Sequence, residues 1–241
     1  MKNLITSSAL SFALLTTFNA TAQTNKQALA ERLTQLTKLE VIAIEEAPIA
    51  NFVQLVTPQG IFYASEDGKH IISGGIHEFS NGFRSLTNER MGAVRGQAIK
   101  ELEDTFITYR SPSEEYEVIV FYDPTCPFCR RMHENIDSYL NQGITIHYAA
   151  FPRGGINTAS ARQLDSIFCA DNPKSTLDNS IVNTPIPPKV CTEESPVASH
   201  YALGEQLGVR GTPAIYTLNT ATAIDGGALP ANQLRGRLDA L

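Results

Sequence analysis

Val118-Ile119-Val120-Phe121-Tyr122-Asp123-Pro124-Thr125-Cys126-Pro127-Phe128-Cys129 decides the architecture, because a β-branched and aromatic run gives way to a thiol pair at a helix start. Residues 117–122 are predicted to form a strand. Pro127 suits the first helical position, where its missing N–H would have been unpaired anyway. Met132, Ile136, Tyr139 and Leu140 supply a buried stripe for a helix over 127–140, which Gly143 ends. A second strand is expected over 144–151. A strand, a helix and a strand with short connections predict a parallel pair with a crossover, hence an α/β domain.

The spacing Cys-x-x-Cys at a helix N-terminus has its own chemistry. Cys126 lies against unpaired backbone N–H groups and the positive end of the helix dipole, which favour its thiolate, the nucleophilic form. Its pKa is expected to be lowered, whereas Cys129, one turn inside the helix, is expected to be more buried and to act second. A zinc site needs four ligands; His133 is placed to be a third, but there is no second Cys-x-x-Cys. Haem attachment needs His directly after the second Cys, and Arg130 stands there. A redox dithiol is the favoured reading over a plain structural disulfide.

The remaining cysteines, Cys169 and Cys191, are left to pair with each other once Cys126 and Cys129 form the local pair. Such a bridge closes a loop of about 22 residues and is assigned a structural role. Four cysteines in an exported chain fit an oxidising compartment. Export is expected because Lys2 is followed by a mostly apolar stretch, Leu4 to Phe18, and by Ala20-Thr21-Ala22, so residues 1–22 read as a cleaved signal peptide.

The chain has 241 residues, 25 acidic and 19 basic, with a net charge of −6 and no Trp. This balance, with no run of basic residues, gives no reason to expect nucleic acid or an anionic membrane as partner. The length beyond the leader favours two domains. Residues 24–39 carry Leu29, Leu33, Leu36 and Leu39 at helical spacing, and strands are expected over 40–44, 52–57, 60–65 and 70–73, with Asp67-Gly68 as a hairpin turn. Residues 87–106 return to a helical period, weakened at Gly92 and Gly96.

Beyond the second strand, 157–169 and 175–182 are expected as helices in what reads as an insertion. A further helix is framed by Ser195 as N-cap, Pro196 at the first position and Gly208 past its end. Gly211-Thr212-Pro213 leads into a strand over 214–218, and Leu234, Leu238 and Leu241 mark a closing helix.

The order of these features resembles the DsbC-type periplasmic disulfide isomerases. It runs from the leader through Asp67-Gly68-Lys69-His70, the linker helix, Cys126-Pro127-Phe128-Cys129, Ala150-Phe151-Pro152-Arg153 and the second cysteine pair to His200-Tyr201-Ala202-Leu203-Gly204 and Gly211-Thr212-Pro213. The resemblance implies an α+β N-terminal dimerisation domain over 23–85, a linker helix over 86–112 and an α/β thioredoxin-like catalytic domain with a helical insertion over 113–241.

It also implies a V-shaped periplasmic homodimer that acts on misfolded exported proteins, with chaperone activity and with a DsbD-like inner-membrane reductase as electron donor. No cofactor is expected. In thioredoxin-like folds a cis-proline loop faces the dithiol, so Thr212 and Pro213 are expected to bind substrate chain. Val120 stands where related reductases often carry a buried acid. Pro127-Phe128 departs from the commoner Gly-Tyr and resembles glutaredoxins and DsbG-type proteins. A non-catalytic chaperone, a DsbG-like chaperone and reductase of oxidised single cysteines, and a monomeric disulfide oxidase are the alternatives.

Overall fold

The computed structural model describes residues 16–80, 82–182, 185–189, 191 and 194–241. Residues 1–15 of the expected leader lie outside them. The chain divides into two compact units, the division falling between Met91 and Gly92.

In the first unit, helix α1 (Thr16–Thr37) precedes the strands β1 (Ala43–Glu46), β2 (Phe52–Thr57), β3 (Gly60–Ser65) and β4 (Ile71–Ser73). The strands form one antiparallel sheet in sequence order. The expected β3–β4 turn forms at Asp67, whose carboxylate accepts from Ser65 Oγ at 2.6 Å and Lys69 N at 3.0 Å. Leu29, Ala30 and Leu33 pack on Val53, Leu55 and Ala64. Leu36, expected on that buried face, is instead 75% exposed, one residue before the helix ends at Thr37. Two short strands, β5 (His77–Glu78) and β6 (Arg84–Ser85), pair beyond the sheet and leave Phe79 and Phe83 exposed.

The linker helix is shorter than expected. Helix α2 spans Leu86–Leu102, a single 3-10 turn follows at Glu103–Thr105, and Ile107–Tyr109 is strand β7. The stretch 86–112 is therefore not one helix. Thr105 Oγ1 closes the turn on the Leu102 carbonyl. Phe106, which matched the helical period, reaches the core from an extended backbone (φ −76°, ψ 148°). The two glycines that weaken α2 have a packing reason at Gly96, where a Cβ would lie 3.1 Å from the Asn219 carbonyl.

The second unit continues with β8 (Tyr116–Tyr122), α3 (Pro127–Glu134), α4 (Ile136–Leu140), β9 (Ile144–Ala150), α5 (Ala159–Phe168), α6 (Pro173–Ile181), α7 (Pro196–Leu207), β10 (Ala214–Thr217), β11 (Ala223–Ile224) and α8 (Ala231–Leu238). Its sheet has the order β11-β10-β8-β9-β7, with β8 and β9 parallel as expected and the other pairs antiparallel. The helix expected over 127–140 is broken at Asn135 (φ −109°, ψ 23°), whose side-chain amide donates to the Arg131 carbonyl.

Both faces of the sheet are covered, which is why β8 is apolar without alternation. Val118, Val120 and Tyr122 face one cluster with Met132, Leu164, Ile167 and Leu234. Ile119 and Phe121 face the other with Ile99, Leu203 and Leu207. The His200–Gly204 motif fixes α7 to this second face. Fully buried His200 accepts from Ala150 N at 3.1 Å and bonds Thr105 Oγ1 at 2.7 Å. Gly204 lets Phe151 approach to 2.5 Å of where a Cβ would stand.

Cys169 and Cys191 are disulfide-bonded, with Cα atoms 5.1 Å apart. The bridge closes a loop across a sequence separation of 22, and in the chain-entropy description its removal costs roughly 3 kcal/mol. The double variant Cys169→Ser/Cys191→Ser is expected to lose about that much in denaturant unfolding. An unchanged midpoint would remove its structural role.

Candidate functional site

The turn that carries Cys126 is built on a buried carboxylate. Asp123, 1% exposed, follows β8 directly, and its backbone carbonyl accepts from Cys126 N at 3.0 Å. Its Oδ1 accepts from Thr125 N (2.8 Å), Thr125 Oγ1 (2.7 Å) and Ser160 Oγ (2.8 Å). Its Oδ2 accepts from Arg153 N (2.9 Å) and Nε (3.2 Å). Burial opposes this charge, but the donors outweigh it and hold the carboxyl below its usual range. The sequence reading passed over Asp123. The signal for it was an acid two residues before a hydroxyl at a turn, where Asp bonds its own backbone.

Cys126 occupies the N-cap of α3 with extended backbone (φ −85°, ψ 117°), and Pro127 begins the helix as expected. Its Sγ donates to the Thr212 carbonyl at 3.1 Å. The Thr212–Pro213 peptide is cis, so these two expected residues lie at the dithiol. The Thr212 hydroxyl is buried and has no hydrogen-bond partner beside the neutral thiols.

Both cysteines are free and only 1% exposed, so solvent exposure does not distinguish them. Their electrostatics do. Burial pushes the Cys129 thiol up to about 12. Burial also opposes the Cys126 thiolate, but the Thr212 hydroxyl, the backbone N–H groups of Cys129 and Phe128, and the Cys129 thiol together bring its pKa below the usual value. Ionising Cys126 thus gives the Thr212 hydroxyl the acceptor it lacks. Thr212→Val is expected to raise the Cys126 pKa and slow its alkylation by iodoacetamide at pH 6, with little change at pH 9. Equal rates at both pH values in the two proteins would refute this.

Val120 is fully buried in apolar contacts. His133, considered as a zinc ligand, instead bonds the Tyr148 hydroxyl through Nδ1 (3.1 Å) and Asp178 through Nε2 (2.9 Å). Among the described residues no group of three His, Cys, Asp or Glu is arranged to hold a metal ion. Phe128, between the cysteines, is half-exposed, with the Arg131 guanidinium 5.4 Å from its ring centre. No helix of the described residues is long and apolar enough to cross a membrane.

Both units match known families. Residues 102–241 match the thioredoxin-like domain family and residues 18–88 match the disulfide bond isomerase protein N-terminal domain. The chain is 33% identical over 229 residues to thiol:disulfide interchange protein DsbC of Escherichia coli (strain K12), covering 95% of this chain and 93% of that protein. It is 36% identical over 223 residues to thiol:disulfide interchange protein DsbC of Haemophilus influenzae, covering 92% of this chain and 94% of that protein. A disulfide interchange protein from Neisseria gonorrhoeae, 26% identical, covers 57% of this chain and 95% of its own with a TM-score of 0.49. A dithiol at a strand-to-helix turn, the carbonyl of Thr212 ahead of the cis-proline against its first sulfur, and matches along both units lead to one conclusion: the chain belongs to the DsbC family of thiol:disulfide interchange proteins.

Proposed function

We propose that this thiol:disulfide isomerase attacks a wrong disulfide of an exported protein with Cys126, in the periplasm and as a homodimer. The Cys126 thiolate bonds one substrate sulfur, and the other leaves as a thiolate. That thiolate then attacks another substrate disulfide, and a further substrate thiolate releases Cys126. Where this fails, Cys129 attacks Cys126, leaving the substrate reduced and the enzyme oxidised. A DsbD-like inner-membrane reductase restores the dithiol.

The observation that carries this reading is the placement of Cys126 at the N-cap of α3 with its Sγ 3.1 Å from the Thr212 carbonyl ahead of cis Pro213, an environment that lowers the Cys126 pKa while burial pushes Cys129 up. One sulfur is primed to attack while the other holds its proton. The Thr212 carbonyl, now accepting from the Cys126 thiol, and Pro213 beside it form the loop on which substrate chain would lie.

Dimerisation through the N-terminal unit is supported by its exposed apolar side chains, Ile71, Ile72, Phe79 and Phe83. The leader over 1–22 would deliver the protein to the periplasm. Trapping thiols in intact cells is expected to find Cys126 and Cys129 mostly reduced. A mostly oxidised pair, with the molar mass of one copy in solution, would replace the isomerase by an oxidase. Turnover of a sulfenic acid substrate in preference to scrambled disulfides would favour the DsbG-like reading.

A further inference from the structure

The turn that presents Cys126 carries a buried charge, and a thiolate is sensitive to charge. Cys126 N donates to the Asp123 carbonyl at 3.0 Å, which closes a four-residue turn whose end Cα atoms lie within about 7 Å. The Asp123 side chain folds back over the same turn: Oδ1 accepts at 2.8 Å from the N–H of Thr125, the residue directly before Cys126. Asp123 is buried, and its donors keep the carboxyl ionised at neutral pH. A carboxylate left unopposed there disfavours a thiolate at Cys126, because like charges resist one another's ionisation. Such an effect acts through space and needs no contact between carboxylate and sulfur. At a separation of roughly 7 to 10 Å in a partly buried turn, one unit charge changes the ionised fraction of a thiol by about three- to tenfold.

The turn also holds a cation. Arg153 ends the Ala150-Phe151-Pro152-Arg153 stretch that leaves β9. Its Nε donates to Asp123 Oδ2 at 3.2 Å, its backbone N donates to the same oxygen at 2.9 Å, and its Nη2 donates to Thr125 Oγ1 at 3.1 Å. The guanidinium therefore covers the carboxylate and reaches the residue next to Cys126.

We infer that Arg153 keeps the Asp123 charge from opposing the Cys126 thiolate, and so sets how readily Cys126 attacks near neutral pH. Arg153 is a positioning residue, since it acts through Asp123. The inference rests on Cys126 as the attacking thiol. The other groups that face Cys126 leave this role to Arg153. Thr212, ahead of the cis-proline, offers its carbonyl and hydroxyl, and Phe128 and Cys129 offer backbone N–H groups of the helix end. The Cys129 thiol on α3, pushed up to about 12 by burial, is neutral, and so is the Tyr122 phenol at the end of β8, which burial also pushes up. Of the two arginines that follow the dithiol, Arg130 donates to the Ile181 carbonyl at 2.6 Å and Arg131 lies over the Phe128 ring, whereas Arg153 contacts the carboxylate directly.

The same contacts tie the Cys126 turn to the connection after β9, and a purely structural role has to be distinguished. Replacing the Arg153 side chain leaves Asp123 the bonds from Thr125 N, Thr125 Oγ1, Ser160 Oγ and Arg153 N. The turn keeps these bonds while the charge loses its cover. The Arg153 side chain is 43% exposed, so a substitution there opens no closed cavity.

The test alkylates the full reduced protein with iodoacetamide from pH 5 to 9 and locates the label by mass spectrometry of its peptides. Arg153→Met is expected to slow labelling of Cys126 about three- to tenfold at pH 6, with the gap closing toward pH 9 as the thiolate forms in both proteins. Arg153→Lys keeps the charge and should stay within about twofold of wild type at pH 6. Asp123→Asn added to Arg153→Met removes the charge that Arg153 covers, and should bring the rate at pH 6 back to within about twofold of wild type. A structural staple predicts the reverse, because the second loss would add to the first. The two single variants, at a half-exposed site, keep the test available if the double variant does not fold. Equal slowing of Arg153→Met at pH 6 and pH 9, equal losses in Arg153→Lys and Arg153→Met, or a double variant slower than Arg153→Met would overturn the role given to Arg153. Labelling of Cys129 ahead of Cys126 in the wild type would instead overturn the reading on which the inference rests.

Discussion

Scrambled ribonuclease incubated with the Cys126→Ser protein is expected to regain activity at least about a hundredfold more slowly than with wild type, at a rate near that of glutathione buffer alone. The magnitude follows from loss of the nucleophile itself: serine at neutral pH is protonated, and no other described thiol is both free and held toward its thiolate form. Cys129 does not substitute, because its pKa of about 12 leaves almost none of it ionised. Cys129→Ser should behave differently. It still forms mixed disulfides, so part of the isomerase activity survives through substrate thiols, while slow adducts accumulate and are visible as mixed species on non-reducing gels. If aggregation of unfolded chains is suppressed equally by wild type and Cys126→Ser, chaperone activity is separable from exchange. Recovery by Cys126→Ser at the wild-type rate would sink the assignment.

Replacing Asp123 has the next largest effect, this time on stability. Asp123→Ala removes a buried acceptor of five hydrogen bonds and leaves Thr125, Ser160 and Arg153 without it. The loss is expected at about 3 to 5 kcal/mol in urea unfolding, the range for breaking a buried hydrogen-bonded charge pair. Arg153, 43% exposed at its side chain, can recover water, which places the value toward the lower end. Asp123→Asn keeps the shape and loses the charge, and should cost less.

The pH dependence has a definite sign. The folded carboxyl is depressed, so the unfolded chain binds the proton more readily. The stabilisation is therefore complete above the ordinary aspartate pKa of about 3.9 and is lost as pH falls through the lower folded value. The stability gap between wild type and Asp123→Asn should be constant from about pH 5 to 8 and narrow below about pH 4. A gap that widens in acid would refute the role given to the charge.

Much of the second unit was legible because its signals are local. The run into Cys126, the Pro127 start and the second apolar strand each act within a few residues, and together they admit one handed crossover. The α7 start was legible for the same reason, through Ser195 as cap, whereas the caps at Thr158 and Asn172 went unread, and α5 begins at Ala159 instead of 157 and α6 at Pro173 instead of 175.

Features that depend on distant partners were not legible. Ile107–Tyr109 is a strand because β9 pairs with it, and nothing within the segment overrides the helical period that precedes it. The break at Asn135 left the buried stripe of the expected helix nearly unchanged and so left no trace in its periodicity. At the site, both cysteines and Thr212-Pro213 were marked by motif. Asp123 depends on Ser160 and Arg153, and the hydrogen-bonded group around His133 gathers Tyr109, Tyr148 and Asp178 from three other elements. Such groups are assembled only by the fold.

The N-cap position of Cys126 also sets a clock. The helix end that makes its sulfur a ready attacker makes the same sulfur a ready leaving group, since a thiol of low pKa is expelled faster from a disulfide. A client chain captured there would therefore leave faster than from an ordinary cysteine. A correct pairing buried inside a folded client offers no sulfur to a visitor of such short residence, whereas an exposed error is sampled again and again. Selection between right and wrong bonds would then need no recognition of either, only the difference in how often their sulfurs are exposed.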